Sequence, residues 1–164
     1  SRLSSGGVPV RLRAVGVDEL VLAAVSSLGE RGHTEQLHIE VDEALPTVAT
    51  DPSLTERAIA NVVDNALAWS PPDRPVVVRA DSTDREVRLK VVDHGPGIPA
   101  AERDRVFQPF QRRGDRSNGA GVGLGLAVAR GMLVAVGGRV EVEETPAGGT
   151  TMVLVLPRSG EPRR

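Results

Sequence analysis

Two kinds of hydrophobic pattern divide the chain into short and long segments. Short stretches in which apolar and polar residues alternate, such as Glu86-Val-Arg-Leu-Lys-Val-Val92, predict strands with one buried face. Longer stretches with apolar residues three or four positions apart predict helices that bury one face. The predicted strands are residues 8–15, 37–41, 75–80, 86–93, 139–143 and 151–156, and the predicted helices are residues 18–28, 51–69 and 122–136.

Start and stop signals support the helices. Asp51-Pro52 combines a carboxylate cap with a proline at the first helical position, where its missing N–H costs nothing. Pro71-Pro72 ends that helix, and Gly137-Gly138 ends the last one. Residues 95–120 are rich in glycine, proline and charge, with a short helix predicted at 99–106, and so long a connection is often functional.

These elements predict a mixed sheet packed against helices, which is a two-layer α/β sandwich. The length of 164 residues predicts one domain. We expect this domain to occupy residues 8–157, after a frayed segment at 1–7 and before a disordered tail at 158–164.

Composition disfavours or excludes several classes of function. The net charge is -2 and no block of the chain is strongly basic, so nothing favours nucleic acid or an anionic membrane as a partner. The absence of cysteine excludes disulfides and thiolate chemistry. No apolar run approaches the length of a membrane span. The histidines, His33, His38 and His94, lack the spacing of a metal site.

A glycine-rich stretch, Gly119-Ala-Gly-Val-Gly-Leu-Gly-Leu-Ala127, lies at the start of the last predicted helix, where phosphate often binds. Its spacing does not fit the G-x-G-x-x-G dinucleotide fingerprint, and it lacks the lysine of a P-loop. The one lysine of the chain, Lys90, lies in a predicted strand. The stretch is therefore either a surface loop or a phosphate site of another kind.

Two asparagines share one face of the helix predicted at 51–69. Asn61 and Asn65 are four residues apart, flanked by Asp64, on the side opposite an apolar stripe. Amide and carboxylate oxygens suit Mg²⁺, which prefers oxygen ligands. The alternative is an ordinary solvated helix face. The stripe consists of Ile59, Val62, Val63, Ala66 and Leu67.

A carboxylate stands where a predicted strand runs into a glycine turn. Asp93 ends the strand, and Gly95 and Gly97 let the backbone turn sharply after it. A carboxylate fixed at that place can accept a hydrogen bond from an exocyclic amine such as that of adenine. The alternative is a surface turn, where aspartate and glycine are both common.

Five segments of the chain occur in an order that is typical of a known family. The segments are Asn61-Val-Val-Asp-Asn-Ala66, Asp93-His-Gly-Pro-Gly-Ile98, Val106-Phe-Gln-Pro-Phe110, Gly121-Val-Gly-Leu-Gly-Leu126 and Gly148-Gly-Thr-Thr151. In this order they resemble the asparagine box, the first glycine box, the phenylalanine box and the second and last glycine boxes of the ATP-binding domain of bacterial sensor histidine kinases. The resemblance covers roughly residues 8–157 and implies the Bergerat fold.

The resemblance implies a site for ATP and Mg²⁺. Asn65 would hold the Mg²⁺ ion that bridges the phosphates, and Asn61 would assist it as a catalytic residue one helical turn earlier. Asp93 would accept a hydrogen bond from the adenine amine. Gly95 and Gly97 would let the backbone approach the base.

The same resemblance implies a mobile lid over the nucleotide at residues 99–120, anchored by Phe107 and Phe110. Either Thr150 or Thr151 would assist the adenine carboxylate through water. The β- and γ-phosphates would face N–H groups at the far hinge of the lid, where the last helix begins. This hinge consists of Gly121, Gly123, Leu124 and Gly125.

The chain departs from the family after the asparagine box. Ala68 and Trp69 stand where the family often has a basic residue followed by Tyr, His or Phe in contact with phosphates or ribose. Arg112 and Arg113 are candidates for the missing charge, because arginine binds phosphate well. The alternative is that both arginines are solvated.

The function implied is transfer of the γ-phosphoryl group of ATP to a histidine on a separate dimerisation domain, for relay to a response regulator. Residues 1–7 resemble the end of that phosphoacceptor domain, and no histidine of this chain resembles the acceptor. The chain would be the cytoplasmic portion of a membrane-bound sensor kinase, without membrane or nucleic-acid contacts of its own. It also resembles potassium-responsive sensor kinases.

Three alternatives remain open. ATPases like those of gyrases and chaperones, and serine kinases that act as anti-sigma factors, resemble this chain in fold but carry a glutamate where it has Asn61. A degenerate module that binds a partner without chemistry is disfavoured because every box is present, although Ala68 departs from the pattern.

Overall fold

The chain folds into helices and strands close to those that its pattern predicts. The computed structural model describes residues 9–29, 34–109 and 125–160. Within these ranges it contains seven strands and three α-helices, besides short 3-10 helices. In chain order they are β1 (Arg13–Val15), α1 (Val17–Leu28), β2 (Leu37–Glu40), β3 (Val48–Thr50), α2 (Pro52–Trp69), β4 (Val76–Ser82), β5 (Glu86–Val92), α3 (Gly125–Ala135), β6 (Arg139–Glu144) and β7 (Thr150–Pro157).

Five of the strands form one mixed sheet, in the order β2-β4-β5-β7-β6. β2 lies parallel to β4, and all other neighbours are antiparallel. β1 and β3 form a separate antiparallel pair, which a bridge between Val48 and Arg158 joins to the body. The central strand of the sheet is β5, and it ends next to the start of β7.

The helices cover one face of the sheet and bury its inward side chains. Along β5, Val87, Leu89 and Val91 are buried, while the residues between them are partly exposed. Ile59 of α2 and Leu133 of α3 belong to the same core cluster. Burial of these aliphatic side chains stabilises the two layers by roughly 25 cal/mol per Å² of apolar surface. The predicted two-layer α/β sandwich is confirmed.

Charged residues line the outer face of the sheet in cross-strand pairs. Arg88 of β5 lies 3.0 Å from Glu143 of β6. A hydrogen bond from Arg139 lowers the pKa of Glu86. Exposed ion pairs of this kind contribute little to stability, and they keep this face polar while the opposite face carries the helices.

Helix α2 begins as its sequence predicts. The N–H of Ser53 donates to Asp51 Oδ1 at 3.1 Å, and Pro52 occupies the first turn. A second oxygen of the same carboxylate accepts from the N–H of Arg11 at 3.0 Å. The capping residue therefore also fastens the segment that leads into β1.

Two predicted elements differ from the observed ones. The strand predicted at 8–15 is limited among the described residues to β1, because only Arg13–Val15 have a partner strand. That partner, β3, is absent from the predicted elements, since its three residues are too few to show alternation. The helix predicted at 99–106 is instead a pair of 3-10 helices, Ala100–Glu102 and Arg105–Phe107.

The tail predicted to be disordered is held at its first residues. The N–H of Arg158 donates to the carbonyl oxygen of Arg85 at 2.8 Å, and the N–H of Ser159 donates to that of Thr47 at 3.0 Å. The predictions for residues 1–7, 122–124 and 161–164 lie outside the described residues.

We expect Leu133→Ala to destabilise the protein by about 2–5 kcal/mol, because this side chain is fully buried and its loss leaves a cavity. Its neighbour Val134 is 61% exposed, so Val134→Ala is a matched control that should change the free energy of unfolding by less than about 0.5 kcal/mol. Urea denaturation measures the free energy of unfolding of both variants. Equal losses would contradict the packing of α3 against the core.

Candidate functional site

A buried carboxylate lies where the central strand of the sheet ends. Asp93 follows β5 and is only 2% exposed. Its Oδ1 atom accepts hydrogen bonds from the N–H of Gly95 at 3.0 Å and from the N–H of Thr150 at 2.9 Å. Two backbone donors on one oxygen offset the cost of removing the charge from water. They also hold the carboxylate in one orientation, and neither bond uses Oδ2.

Backbone contacts fix the position of Asp93 as well. Its N–H donates to the carbonyl oxygen of Thr150 at 2.9 Å, and its own carbonyl oxygen accepts from the Thr145 hydroxyl at 3.0 Å. Gly149 packs so closely against the same carbonyl that an added Cβ would overlap its oxygen. The φ of 119° at Gly149 gives a second reason why only glycine fits there.

The C-terminal end of α2 supports the turn that follows the carboxylate. The N–H of His94 donates to Ser70 Oγ at 3.3 Å, and Ser70 is also the residue that caps α2. An added Cβ at Gly95 would lie 2.7 Å from the carbonyl oxygen of Trp69. Gly97 has a φ of 79°, which allows the sharp turn. The turn is therefore held between α2 on one side and the β6–β7 turn on the other.

The two asparagines lie on α2 outside its buried stripe, as the pattern predicts. Asn61 and Asn65 are partly exposed, whereas every residue of the predicted stripe is buried. Among the described residues, no hydrogen bond uses either side-chain amide. Asn65 lies one turn, or about 6 Å along the helix axis, before Trp69, which contacts the turn at Gly95. Asn61 lies one further turn away, about 12 Å before Trp69 along the same axis.

The structure distinguishes the two threonines that begin β7. Thr151 Oγ1 lies 3.0 Å from Thr145 Oγ1. Thr150 Oγ1 is buried and has no hydrogen-bond partner among the described residues. By strand alternation Thr150 faces the helices, on the same side as Asp93. A buried hydroxyl without a partner is a place where water or a ligand binds, so Thr150 fits the role of assisting the carboxylate better than Thr151 does.

The predicted phosphate-binding turn is described only at its last residue. Gly125 begins α3 and is exposed. Gly121, Gly123 and Leu124 lie outside the described residues, so their predicted contacts with phosphate remain predictions.

The predicted lid, residues 99–120, is described as far as residue 109. Its anchor Phe107 packs against the core, and the guanidinium carbon of Arg130 lies 5.3 Å from the centroid of the Phe107 ring. This contact joins the start of the lid to α3. The second anchor, Phe110, and the candidate phosphate ligands Arg112 and Arg113 lie outside the described residues.

A metal site built from charged ligands is not found in the described part of the chain. There, no three His, Cys, Asp or Glu side chains are placed to hold a metal ion. A cation at this site would instead be held through the amide oxygens of Asn61 and Asn65.

None of the described helices has the length and apolar character needed to span a membrane.

Sequence reasoning misses two residues of the site, Ser70 and Thr145. Their hydrogen-bond partners lie 24 and 52 positions away in the chain, at His94 and Asp93. Hydroxyls near the ends of helices and strands are common because they satisfy local backbone groups. No local pattern therefore indicates that these two support the turn.

Comparison with known proteins identifies the family. The profile of the family described as histidine kinase-, DNA gyrase B-, and HSP90-like ATPase matches residues 50–160. The chain therefore belongs to this family of ATP-binding domains.

Similar proteins include two sensor proteins. The chain is 42% identical over 157 residues to the sensor protein KdpD of Rathayibacter rathayi, covering 96% of this chain and 18% of that protein. It is 39% identical over 162 residues to the sensor protein KdpD of Mycobacterium tuberculosis strain H37Rv, covering 95% of this chain and 18% of that protein. The chain thus corresponds to a small part of these relatives.

Solved structures of histidine kinases share the fold. The mycobacterial sensor histidine kinase MprB matches with a TM-score of 0.76 and 33% identity, over 90% of this chain and 98% of that one. Full-length ShkA in complex with AMPPNP matches with a TM-score of 0.77 and 25% identity, over 97% of this chain and 34% of that one. The predicted resemblance to the ATP-binding domain of sensor histidine kinases is confirmed.

We expect Gly95→Ala to destabilise the protein by about 1–3 kcal/mol, because the added Cβ would meet the Trp69 carbonyl oxygen at 2.7 Å. Gly131 lies within α3 and an added Cβ there meets open space, so Gly131→Ala is the matched control. That control should stabilise the helix by up to about 1 kcal/mol. Changes of the same sign in urea denaturation would contradict the close approach of the turn to α2.

Proposed function

We propose that the chain binds ATP with Mg²⁺ and positions the γ-phosphoryl group for transfer to a histidine on a separate domain of its parent protein. Membership of the ATPase-domain family supports the binding of ATP. Because the chain covers only 18% of its KdpD relatives, the acceptor histidine and the response regulator that follows it belong to the proposal.

The observation that carries the proposal is the buried carboxylate of Asp93, held through Oδ1 by two backbone N–H groups. A carboxylate accepts from the amine of adenine, whereas guanine and hypoxanthine present a carbonyl oxygen at the same position. Two acceptors that face each other leave both unpaired, which costs about 1–3 kcal/mol. The hydroxyl of Thr150, which has no partner within the described part of the chain, would supply a group that both donates and accepts beside the base.

The amide oxygens of Asn61 and Asn65 fit Mg²⁺, which prefers oxygen ligands. The ion would neutralise part of the phosphate charge during transfer. Both asparagines belong to α2, and the end of this helix contacts the turn at Gly95. The helix therefore sets the distance between the groups for the base and the groups for the phosphates. Gly125 and the glycine-rich stretch before it in the sequence would donate N–H groups to phosphate oxygens.

The acceptor histidine lies outside this chain in our proposal. His38 lies on β2, at the edge of the sheet away from α3. His94 lies in the turn after the adenine carboxylate, with its Nδ1 atom buried. Neither of these two histidines lies on a helix, where an acceptor of this class is expected, and the third, His33, lies outside the described residues. The parent protein would supply the acceptor on its dimerisation domain and pass the phosphoryl group to a response regulator.

An ATPase of the same fold is the second candidate, and Asn61 argues against it. Hydrolysis requires a base for water, and an amide does not accept a proton as a carboxylate does. A further relative, the signal transduction histidine-protein kinase/phosphatase MprB of Mycolicibacterium paratuberculosis, is 38% identical over 77% of this chain. Its name supports a kinase role.

The relatives named KdpD support the predicted resemblance to potassium-responsive sensor kinases. We propose that the parent protein is a sensor of this class and that this chain is its cytoplasmic catalytic portion. The stimulus would be read by parts of the parent that lie outside this chain.

We expect Asp93→Asn to reverse the base preference. Asparagine keeps an oxygen for the two backbone N–H groups that bind Oδ1, but it replaces Oδ2 by a donor. ATP affinity should fall roughly 10- to 100-fold, while the affinity for inosine triphosphate, which has a carbonyl in place of the amine, should not fall. Calorimetric titration with Mg²⁺ measures both affinities.

Asp84→Asn is the matched control for this variant, because Asp84 is an exposed carboxylate between β4 and β5, away from the proposed site, and its loss should leave both affinities unchanged. If the wild-type chain binds ATP and inosine triphosphate equally well, Asp93 does not read the adenine amine.

We also expect the chain to transfer phosphate only to a partner. Incubated alone with γ-labelled ATP, it should neither retain label nor release phosphate rapidly, because Asn61 offers no base worth about 10²–10⁴-fold in rate. Addition of the histidine-bearing helical hairpin of its parent should label the hairpin. Asn65→Ala should abolish this labelling, and the control Asp84→Asn should preserve it. Rapid release of phosphate without the hairpin would favour the ATPase candidate.

A further inference from the structure

We infer that Thr145 is a positioning residue for the adenine carboxylate, an inference that rests on the proposed function. Thr145 follows β6 and is 7% exposed. Its hydroxyl oxygen lies 3.0 Å from the carbonyl oxygen of Asp93 and 3.0 Å from the hydroxyl oxygen of Thr151. It therefore ties the turn between β6 and β7 to the residue that follows β5.

The direction of both bonds follows from counting protons. A carbonyl oxygen only accepts, so Thr145 donates its single hydroxyl proton to Asp93. No proton of Thr145 is left for Thr151, and Thr151 must therefore donate to Thr145. Donation runs from Thr151 to Thr145 to the Asp93 carbonyl, an arrangement in which each bond polarises the next.

The backbone of Thr145 acts on the same carbonyl through a second route. Its N–H donates to the carbonyl oxygen of Gly149 at 3.1 Å, and its carbonyl oxygen accepts from the N–H of Gly148 at 3.0 Å. These bonds close the β6–β7 turn. Gly149 then packs against the Asp93 carbonyl, where there is no room for a Cβ. Thr145 thus sets the backbone that contacts this carbonyl and also provides the hydroxyl that binds it.

The orientation of the carboxylate depends on this carbonyl. The peptide group that follows Asp93 leads to Gly95, whose N–H binds Oδ1 at 3.0 Å. A rotation of that peptide would change the angle of the bond to Oδ1, and hydrogen bonds weaken steeply with misalignment. The groups proposed for Mg²⁺ lie on a different element, α2. Loss of the Thr145 hydroxyl should therefore reduce the preference for adenine over hypoxanthine more than it reduces the binding of the phosphates.

The test compares the ratio of ATP affinity to inosine triphosphate affinity among variants, by calorimetric titration with Mg²⁺. Thr145→Val removes the hydroxyl with little change in size and should lower this ratio roughly tenfold. Thr145→Ser keeps the hydroxyl and should stay within about twofold of the wild type. Thermal unfolding identifies the variants that fold, and Thr145→Ala takes the place of Thr145→Val, with the same expectation, if the latter does not fold.

Two further variants separate positioning from general stability. Thr47 is 8% exposed and its hydroxyl lies 2.6 Å from that of Ser159, away from the site, so Thr47→Val should lose stability without a change in the ratio. In Thr151→Val, the Thr145 hydroxyl still donates to the carbonyl oxygen of Asp93. The affinity ratio should therefore fall less than about threefold, because the lost bond does not contact Asp93 directly.

A Thr145→Val chain that loses stability but keeps the wild-type ratio would show a purely structural role and overturn the inference. A Thr151→Val chain that loses as much of the ratio as Thr145→Val would overturn the order of donation. Failure of the proposed function gives a different result, because the wild-type chain itself would then show no preference for ATP.

Discussion

The two backbone hydrogen bonds to Asp93 Oδ1 are the constraint on which the rest of the site depends. A carboxylate that is 2% exposed needs hydrogen-bond donors in direct contact with it, because an unpaired buried charge is very costly. The donors come from Gly95, two residues later, and from Thr150, 57 positions away. The chain must therefore turn immediately after β5, and β7 must begin beside it. The central placement of β5 and β7 in the sheet meets both requirements.

The same constraint explains the glycines on either side of the carboxylate. A turn that brings its own N–H back to Oδ1 presses Gly95 against the end of α2, and the start of β7 presses Gly149 against the Asp93 carbonyl. Side chains at these two positions would separate the elements that supply the donors. The glycine requirement is therefore steric at both positions, and a φ of 119° adds a conformational requirement at Gly149.

Features that depend on neighbouring residues, such as helix caps and apolar stripes, could be predicted from the sequence. Contacts between distant segments could not. Helix α2 could be predicted because Asp51-Pro52 starts it, a single apolar stripe fills the core, and Asn61 and Asn65 fall outside that stripe. The three residues of β3 carry no period, and they form a strand only because β1 pairs with them. Ser70 and Thr145 likewise have no local sequence signal, because each contacts the turn across a long separation in sequence. The choice of Thr150 over Thr151 also needed the structure, because it depends on which hydroxyl is already bonded.

Helix α2 connects the two ends of the proposed site. Its last turn supports the turn after Asp93 through Trp69 and Ser70, and its middle carries Asn61 and Asn65. In our proposal, selectivity for the base would come from the sheet end of the site, where burial strengthens each hydrogen bond. The phosphates would lie beside a more exposed part of the helix, where Asn61 provides no base for water. A nucleotide held firmly at one end and left without a nucleophile at the other is suited to a nucleophile that arrives with a partner. The proposed separation of base recognition from reaction along α2 therefore fits the proposal that another domain supplies the acceptor histidine.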